Sequence, residues 1–205
     1  MVWLILSVIV WGIVHSLLAT VRVKNWITRV FGSAGARAYR LGYNLFSLIS
    51  LAPTIWIWWA LPDTPLYRIS PPWMYLTILG QLLAALALIV GVIQTGALVF
   101  VGLSQLMYGE QEEEPFVTRG LYRWVRHPLY TAGLAFMWLT PVVSRNTLVL
   151  FITASIYLII GAHFEERKLM RQFGPAYERY RASTPMLIPG IRILGNKPAA
   201  SSSKR

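Results

Sequence analysis

Two stretches of this chain carry side chains whose types and spacing suit chemistry. The first is Gly120-Leu-Tyr-Arg-Trp-Val-Arg-His-Pro-Leu-Tyr130, where Tyr122, Arg123, Arg126 and His127 crowd ahead of Pro128. Proline opens helices readily, because the N–H it lacks would be unpaired in the first turn. The residue before a proline is pushed toward extended backbone. Arg126 and His127 are thereby aimed at one spot beside a helix N-terminus, where an anion is favoured. A simple juxtamembrane anchor of Arg and Trp is the bland alternative, and it leaves His127 without a purpose. The second stretch is His163-Phe-Glu-Glu-Arg-Lys-Leu-Met-Arg-Gln-Phe-Gly-Pro-Ala-Tyr-Glu-Arg-Tyr180. Glu165–Lys168 and Glu178–Arg181 are spaced for i,i+3 pairing. Glu166 has Leu169 and Met170 at i+3 and i+4, so its own helix offers it no cation. A carboxylate buried there wants a cationic partner. The ammonium of an amino-acid-like ligand, or ribose hydroxyls, would serve.

The elements that must position these groups are membrane helices. The chain has 205 residues, 56% hydrophobic and only 13% charged, with mean hydropathy +0.52. That balance excludes a water-soluble globule and a disordered chain alike. Five apolar runs stand out: 1–20, 41–61, 73–102, 128–143 and 147–162. None alternates with period 2, so the runs predict helices rather than a barrel. The expected fold is an all-α integral membrane protein with five transmembrane helices. The third run is long enough to tilt or protrude, and the fifth continues into a cytoplasmic C-terminal helical segment. Residues 20–39 read as an interfacial helix ending in a Gly-Ser turn at 32–35.

Charge fixes the expected orientation. Of 19 Lys and Arg, 17 fall in the segments 21–40, 103–127 and after 163, and only Arg68 and Arg145 fall in the other two loops. By the positive-inside asymmetry, the N-terminus lies outside and the C-terminus in the cytoplasm. The net charge of +11 is then explained by topology and anionic lipid rather than nucleic acid. Seven of the eight acidic residues, all but Asp63, share the cytoplasmic side. Cysteine is absent, which removes disulfides, thiolate metal sites and a Cys nucleophile. No ligand set suits a catalytic metal. Residues 1–195 read as one domain and 196–205, ending Ser-Ser-Ser-Lys-Arg, as a flexible tail. The run Glu110–Glu114 reads as a solvated loop.

Taken together, Gly120-Leu-Tyr, Arg126-His-Pro-Leu-Tyr130, Glu165-Glu166-x-x-Leu169, Phe173-Gly-x-x-Tyr177-x-x-Tyr180 and Met186-Leu-Ile-Pro189 resemble the isoprenylcysteine carboxyl methyltransferase and phospholipid methyltransferase superfamily over about residues 116–190. His15-Ser-Leu-Leu-Ala19, Lys24-Asn-Trp26 and Phe100-Val-Gly-Leu-Ser-Gln105 are similar to its methanethiol S-methyltransferase branch. That branch usually has a His where this chain reads Gln94-Thr-Gly96. The resemblance implies an integral membrane enzyme with S-adenosylmethionine as cofactor and the active site facing the cytoplasm. It implies cofactor contacts from Gly120, Tyr122, Arg126, His127, Pro128, Tyr130, Glu165 and Glu166. Arg126 and His127 would hold the cofactor's carboxylate, Glu166 its ammonium or ribose, and the two motifs would stand on opposite sides of one cleft. Arg126, His127 and Glu166 are the expected catalytic group, and His15 and Gln105 the expected substrate contacts. The acceptor stays open among an isoprenylcysteine carboxylate, a thiol and a lipid.

A second reading is a b-type haem protein, with neutral His15 or His163 on iron, because His15-Ser16 is also similar to the membrane family containing zeta-carotene isomerase. A hydrogen bond from His15 to a neighbouring helix is the structural alternative. A transport bundle ranks last, since no internal repeat is present.

Overall fold

The computed structural model describes residues 1–109 and 116–190. The expected loop at 110–114 and the tail at 196–205 lie outside the described residues. The architecture is nearly all helical. Helix α1 spans Val2–Leu18 and α2 spans Val21–Ile49, opened by Thr20, whose hydroxyl accepts from the Val23 amide. Gly32 interrupts α2 at φ 61°, ψ −150°. The expected turn at 32–35 is therefore confined to one kinked residue, and the helix resumes directly into the second apolar run. Helix α3, Ala52–Ala60, carries Pro53 in its first turn, and strand β1 covers Pro65–Arg68.

The third apolar run is not one long helix. Helix α4, Trp73–Gln94, stops at Gly96 (φ 79°), followed by short α5, Ala97–Val101, and α6, Leu103–Tyr108. Two glycines in backbone conformations open to few other residues divide what hydropathy alone reads as continuous. A 3-10 turn at Gly120–Arg123 leads to α7, Pro128–Trp138. At 11 residues this helix is about 16 Å long, half of a hydrocarbon core. Strand β2, Val142–Ser144, precedes α8, Arg145–Phe173, and α9, Pro175–Ser183.

Among the described residues, three helical segments are long and apolar enough to cross a membrane: Val21–Ala60, Trp73–Gln94 and Arg145–Phe173. Large apolar side chains such as Trp59, Leu48 and Trp3 stand exposed along the helices, as suits lipid rather than water. Helices meet through small residues. A Cβ at Gly80 would strike Leu139, one at Gly91 would strike Leu129, and one at Gly12 would strike the Tyr157 ring.

The strands, absent from the sequence expectation, pair antiparallel, with Arg68 opposite Val142. Asp63 reinforces the contact: its Oδ1 accepts from the Asn146 amide at 3.0 Å and the Thr64 amide at 2.8 Å. The loops after α3 and after α7 thus lie together at one end of the bundle.

Gly102 explains the Phe-Val-Gly-Leu motif. Its φ is 98°, and a Cβ there would lie 2.5 Å from the Leu41 amide nitrogen. Asn44 Nδ2 fastens the same joint by donating to the carbonyls of Phe100 and Val101, at 3.0 and 2.8 Å. Gly102→Ala is expected to cost about 1–3 kcal/mol from backbone strain alone, read as a lower unfolding midpoint in detergent. An unchanged midpoint would contradict this close approach.

Candidate functional site

The two motifs meet. Arg126 stands just before α7 and Glu166 near the C-terminal end of α8, and the guanidinium grips the carboxylate with both Nε and Nη2 at 2.5 Å from Oε1. Both side chains are 9% exposed. Arg126 Nη1 also donates to the carbonyls of Arg181 and Thr184, and Arg181 Nε lies 3.9 Å from Glu166 Oε2. The missing cation of Glu166 is therefore protein-borne and comes from 40 residues upstream. Helical spacing cannot reveal such a partner.

His127 is packed between the two carboxylates. Its Nδ1 is 3.6 Å from Glu165 Oε2, and its Nε2 is 3.4 Å from Glu166 Oε1 without hydrogen-bond alignment. The ring stacks on Tyr130 at 5.4 Å, and the Tyr130 hydroxyl donates to Glu165 Oε2 at 2.9 Å. The segment around Met186 holds this assembly from behind. The Arg126 amide donates to Pro185 O at 2.9 Å and the His127 amide to Met186 O at 3.1 Å. Thr131 Oγ1 donates to Leu187 O at 2.7 Å.

Burial disfavours a charged imidazole, but the two carboxylates outweigh it and hold the His127 pKa above its ordinary 6.5. A raised folded pKa contributes stability that is complete below the unfolded pKa and is lost as pH rises through the folded one. The unfolding midpoint is therefore expected to fall as pH is raised above about 6.5, and His127→Gln should remove that slope. A wild-type midpoint that rises across the same range would contradict it.

A cavity of about 610 Å³ opens beside this assembly. Tyr122, Arg126, Glu165, Lys168, Tyr177 and Tyr180 supply one wall. Tyr39, Arg40 and Tyr43 of α2, with Gln105 of α6, supply another. Phe116 packs edge-on against Phe173 and Tyr177 at 5.0 and 5.3 Å. The Tyr180 hydroxyl donates to Tyr122 O at 2.5 Å. Burial, and then the Glu165 charge, push the Tyr122 phenol up to about 12. Burial also raises Tyr177 and Tyr180, so all three are neutral donors near pH 7. Two polar atoms of the wall lack a partner among the described residues: the Tyr177 hydroxyl, on a residue 1% exposed, and Gln105 Oε1.

The structure divides the expected site residues between the cavity wall and the layer behind it. The two motifs do not stand on opposite sides of a cleft; they touch and form one wall, because each contributes half of a buried ion pair. Arg126 is committed to Glu166 and two carbonyls, which leaves it no free donor pair for a ligand carboxylate. His127 and Glu166 do not line the cavity, nor do Gly120, Pro128 and Tyr130. Gly120 instead makes room for Gln94. A Cβ there would sit 2.2 Å from Gln94 Nε2, and Gln94 Oε1 accepts from the Leu121 amide at 3.0 Å. Tyr122, Arg126, Glu165 and Gln105 do line it.

His15 lies one residue behind the wall. Its Nε2 meets the Tyr43 hydroxyl at 2.7 Å, its Nδ1 meets Ser47 Oγ at 2.9 Å, and its ring stacks on Trp11. With both nitrogens engaged, His15 could reach iron only by giving up the Tyr43 hydroxyl, and His163 turns its Nδ1 to Ile159 O at 2.7 Å. The haem reading is not favoured. Tyr39, Arg40 and Tyr43 escape the sequence reading, which takes them for an interfacial helix and a span. Tyr39, Arg40, Tyr43 and Ser47, at i, i+1, i+4 and i+8, share one side of α2, and a polar stripe within a membrane span marks an inward face.

The NnrU protein family matches residues 3–194. The chain belongs to the NnrU family. Curated relatives share a name. A methanethiol S-methyltransferase of Crocosphaera subtropica is 31% identical over 193 residues, 89% of this chain and 72% of that protein. One from a Pseudomonas species is 30% identical over 184 residues, 85% of this chain and 68% of that protein. One from Mycobacterium tuberculosis is 27% identical over 186 residues, 88% and 74% of the two chains. No solved structure matches significantly. The resemblance to the methanethiol S-methyltransferase branch thus extends over nearly the whole of this NnrU family chain, the cavity's α2 and α6 walls included.

Proposed function

We propose that this chain is an integral membrane methyltransferase that transfers a methyl group from S-adenosylmethionine to a thiol, in the cavity between α2 and α8. One observation carries the reading: a cavity of about 610 Å³, within the range of small-molecule sites, lined by Tyr122, Arg126 and Glu165 and braced from behind by the Arg126–Glu166 pair. The relatives' shared name supports methyl transfer and a thiol acceptor.

The residues fit the cofactor. The unpartnered Tyr177 hydroxyl and Gln105 Oε1 are the donor and acceptor that a nucleoside requires. Glu165, facing the cavity with its side chain 46% exposed, would hold the ammonium, and Lys168 and Arg40 the carboxylate. Arg126, His127 and Glu166 act as positioning residues that fix where Glu165 and Tyr122 stand. When bound, S-adenosylmethionine supplies a methyl group already activated on a sulfonium. The chain's work is then to orient the acceptor and exclude water.

In the bilayer, five passes are the reading that accommodates both loop contacts. Helix α7 at about 16 Å, extended by residues 139–143 at about 3.3 Å each, reaches roughly 30 Å. Pairing of β1 with β2 supports placing the two cation-poor loops on the outer side. The cavity then faces the cytoplasm, where the cofactor is made available. Residues 1–195 act as one unit.

Purified protein incubated with methyl-labelled cofactor and a panel of thiols is expected to yield a base-stable labelled thioether. Label appearing only in base-labile methyl esters of a lipid extract, or in no product, would overturn the thiol assignment.

A further inference from the structure

His15 and Tyr43 form a half-buried polar pair that the proposed binding of the cofactor does not use. Their hydrogen bonds run in a closed order. Ser47 Oγ donates to the Tyr43 carbonyl at 2.7 Å. Its oxygen must then accept at 2.9 Å from His15 Nδ1–H. With the proton on Nδ1, Nε2 is a bare lone pair, and the Tyr43 hydroxyl donates to it at 2.7 Å. Trp11 clamps the arrangement by stacking on His15 at 4.8 Å and donating its Nε1 to Ser47 O at 3.1 Å. A tie between α1 and α2 needs one such bond. Here three of them select a single tautomer and point a base at a phenol that lines the cavity. Ser47 is buried, so bulk water does not compete for its oxygen.

Resting on the thiol methyltransferase reading, we propose that the Tyr43–His15 pair removes the proton of the acceptor thiol. The S–H bond breaks and its electron pair stays on sulfur. The thiol proton passes to the Tyr43 oxygen as the Tyr43 proton passes to His15 Nε2, giving an imidazolium protonated on both nitrogens. The sulfur pair forms the new S–C bond, and the bond from the methyl carbon to the donor sulfur breaks with its electrons left on that sulfur. The positive charge lost from the donor reappears on His15. The site therefore gains no net charge, which matters where solvation is poor. The proton leaves His15 by the same path once the product departs.

Two measurements test this. Protein labelled with ¹⁵N-histidine is expected to show, near neutral pH and without ligands, His15 (the signal lost in His15→Gln) neutral with the proton on Nδ1, and its Nε2 resonance should shift in Tyr43→Phe. In kinetics, Tyr43→Phe and His15→Gln should slow methylation of an alkanethiol by about 100-fold or more, the scale of a lost general base. An acidic aryl thiol, already a thiolate at the assay pH, needs no base, and the same variants should slow it less than about threefold. Equal slowing of both thiols, no slowing, or a His15 proton on Nε2 overturns the relay while leaving the methyltransferase reading intact. Wild-type protein that methylates neither thiol overturns both.

Discussion

Arg126→Ala is expected to lower the unfolding free energy by about 3–5 kcal/mol, the loss typical when one member of a buried ion pair is removed. The size follows from burial. With both side chains 9% exposed, Glu166 would be left charged and far from water, and the carbonyls of Arg181 and Thr184 would lose their donor. Glu166→Ala should cost a similar amount for the mirror-image reason. Arg126→Lys should recover little, because an ammonium cannot serve a carboxylate and two carbonyls in a fixed fork. The double variant Arg126→Met, Glu166→Leu should be more stable than either single alanine variant, since no buried charge remains. Denaturation in detergent, monitored by tryptophan fluorescence, measures all four. Losses below about 1 kcal/mol for the single variants would mean an exposed, weak pair.

Glu165→Gln is expected to weaken S-adenosylmethionine binding by about 10- to 150-fold, the range for one charge-assisted hydrogen bond of 1.5–3 kcal/mol. This variant keeps the shape of the side chain and can still accept from Tyr130. Glu165 is half exposed to the cavity rather than locked in the Arg126 pair, so the fold should tolerate the change better than Arg126→Ala. Equilibrium binding of the labelled cofactor to purified protein checks the effect. Affinity unchanged in Glu165→Gln would move the ammonium away from this wall.

How much of this was legible in the sequence depends on the range of each interaction. The apolar runs were legible because hydropathy is a local property, and α1 and α4 start where those runs start. The breaks at Gly96 and Gly102 were not, since a positive φ at glycine is set by its surroundings in the fold, at Gly102 by the backbone of Arg40 and Leu41. The same limit explains Glu166. Its neighbours at i+3 and i+4 are apolar, and the sequence rightly shows it needing a cation, but only the fold can say that Arg126 supplies it. The motif residues were legible as a group, whereas their division of labour was not. Glu165 and Tyr122 face the cavity, while His127 and Glu166 sit behind it, because adjacent residues on a helix or turn point in different directions. Gln94 stands where the methanethiol branch usually has a His, and its contact with Gly120 and Leu121 gives it a bracing task that no pattern of spacing announces. The α2 wall was overlooked for a different reason. A polar stripe inside an apolar protein is read as an interfacial face unless the partner elements are known.

The central claim is that the donor occupies the cavity beside the Arg126–Glu166 junction with its amino group at Glu165. A structure determined with bound S-adenosylhomocysteine tests it most directly. The nucleoside is expected between Tyr122, Gln105 and Tyr177, the ammonium on Glu165, and the Arg126–Glu166 pair intact. A ligand seated elsewhere, or one whose carboxylate has pulled Arg126 away from Glu166, would contradict it.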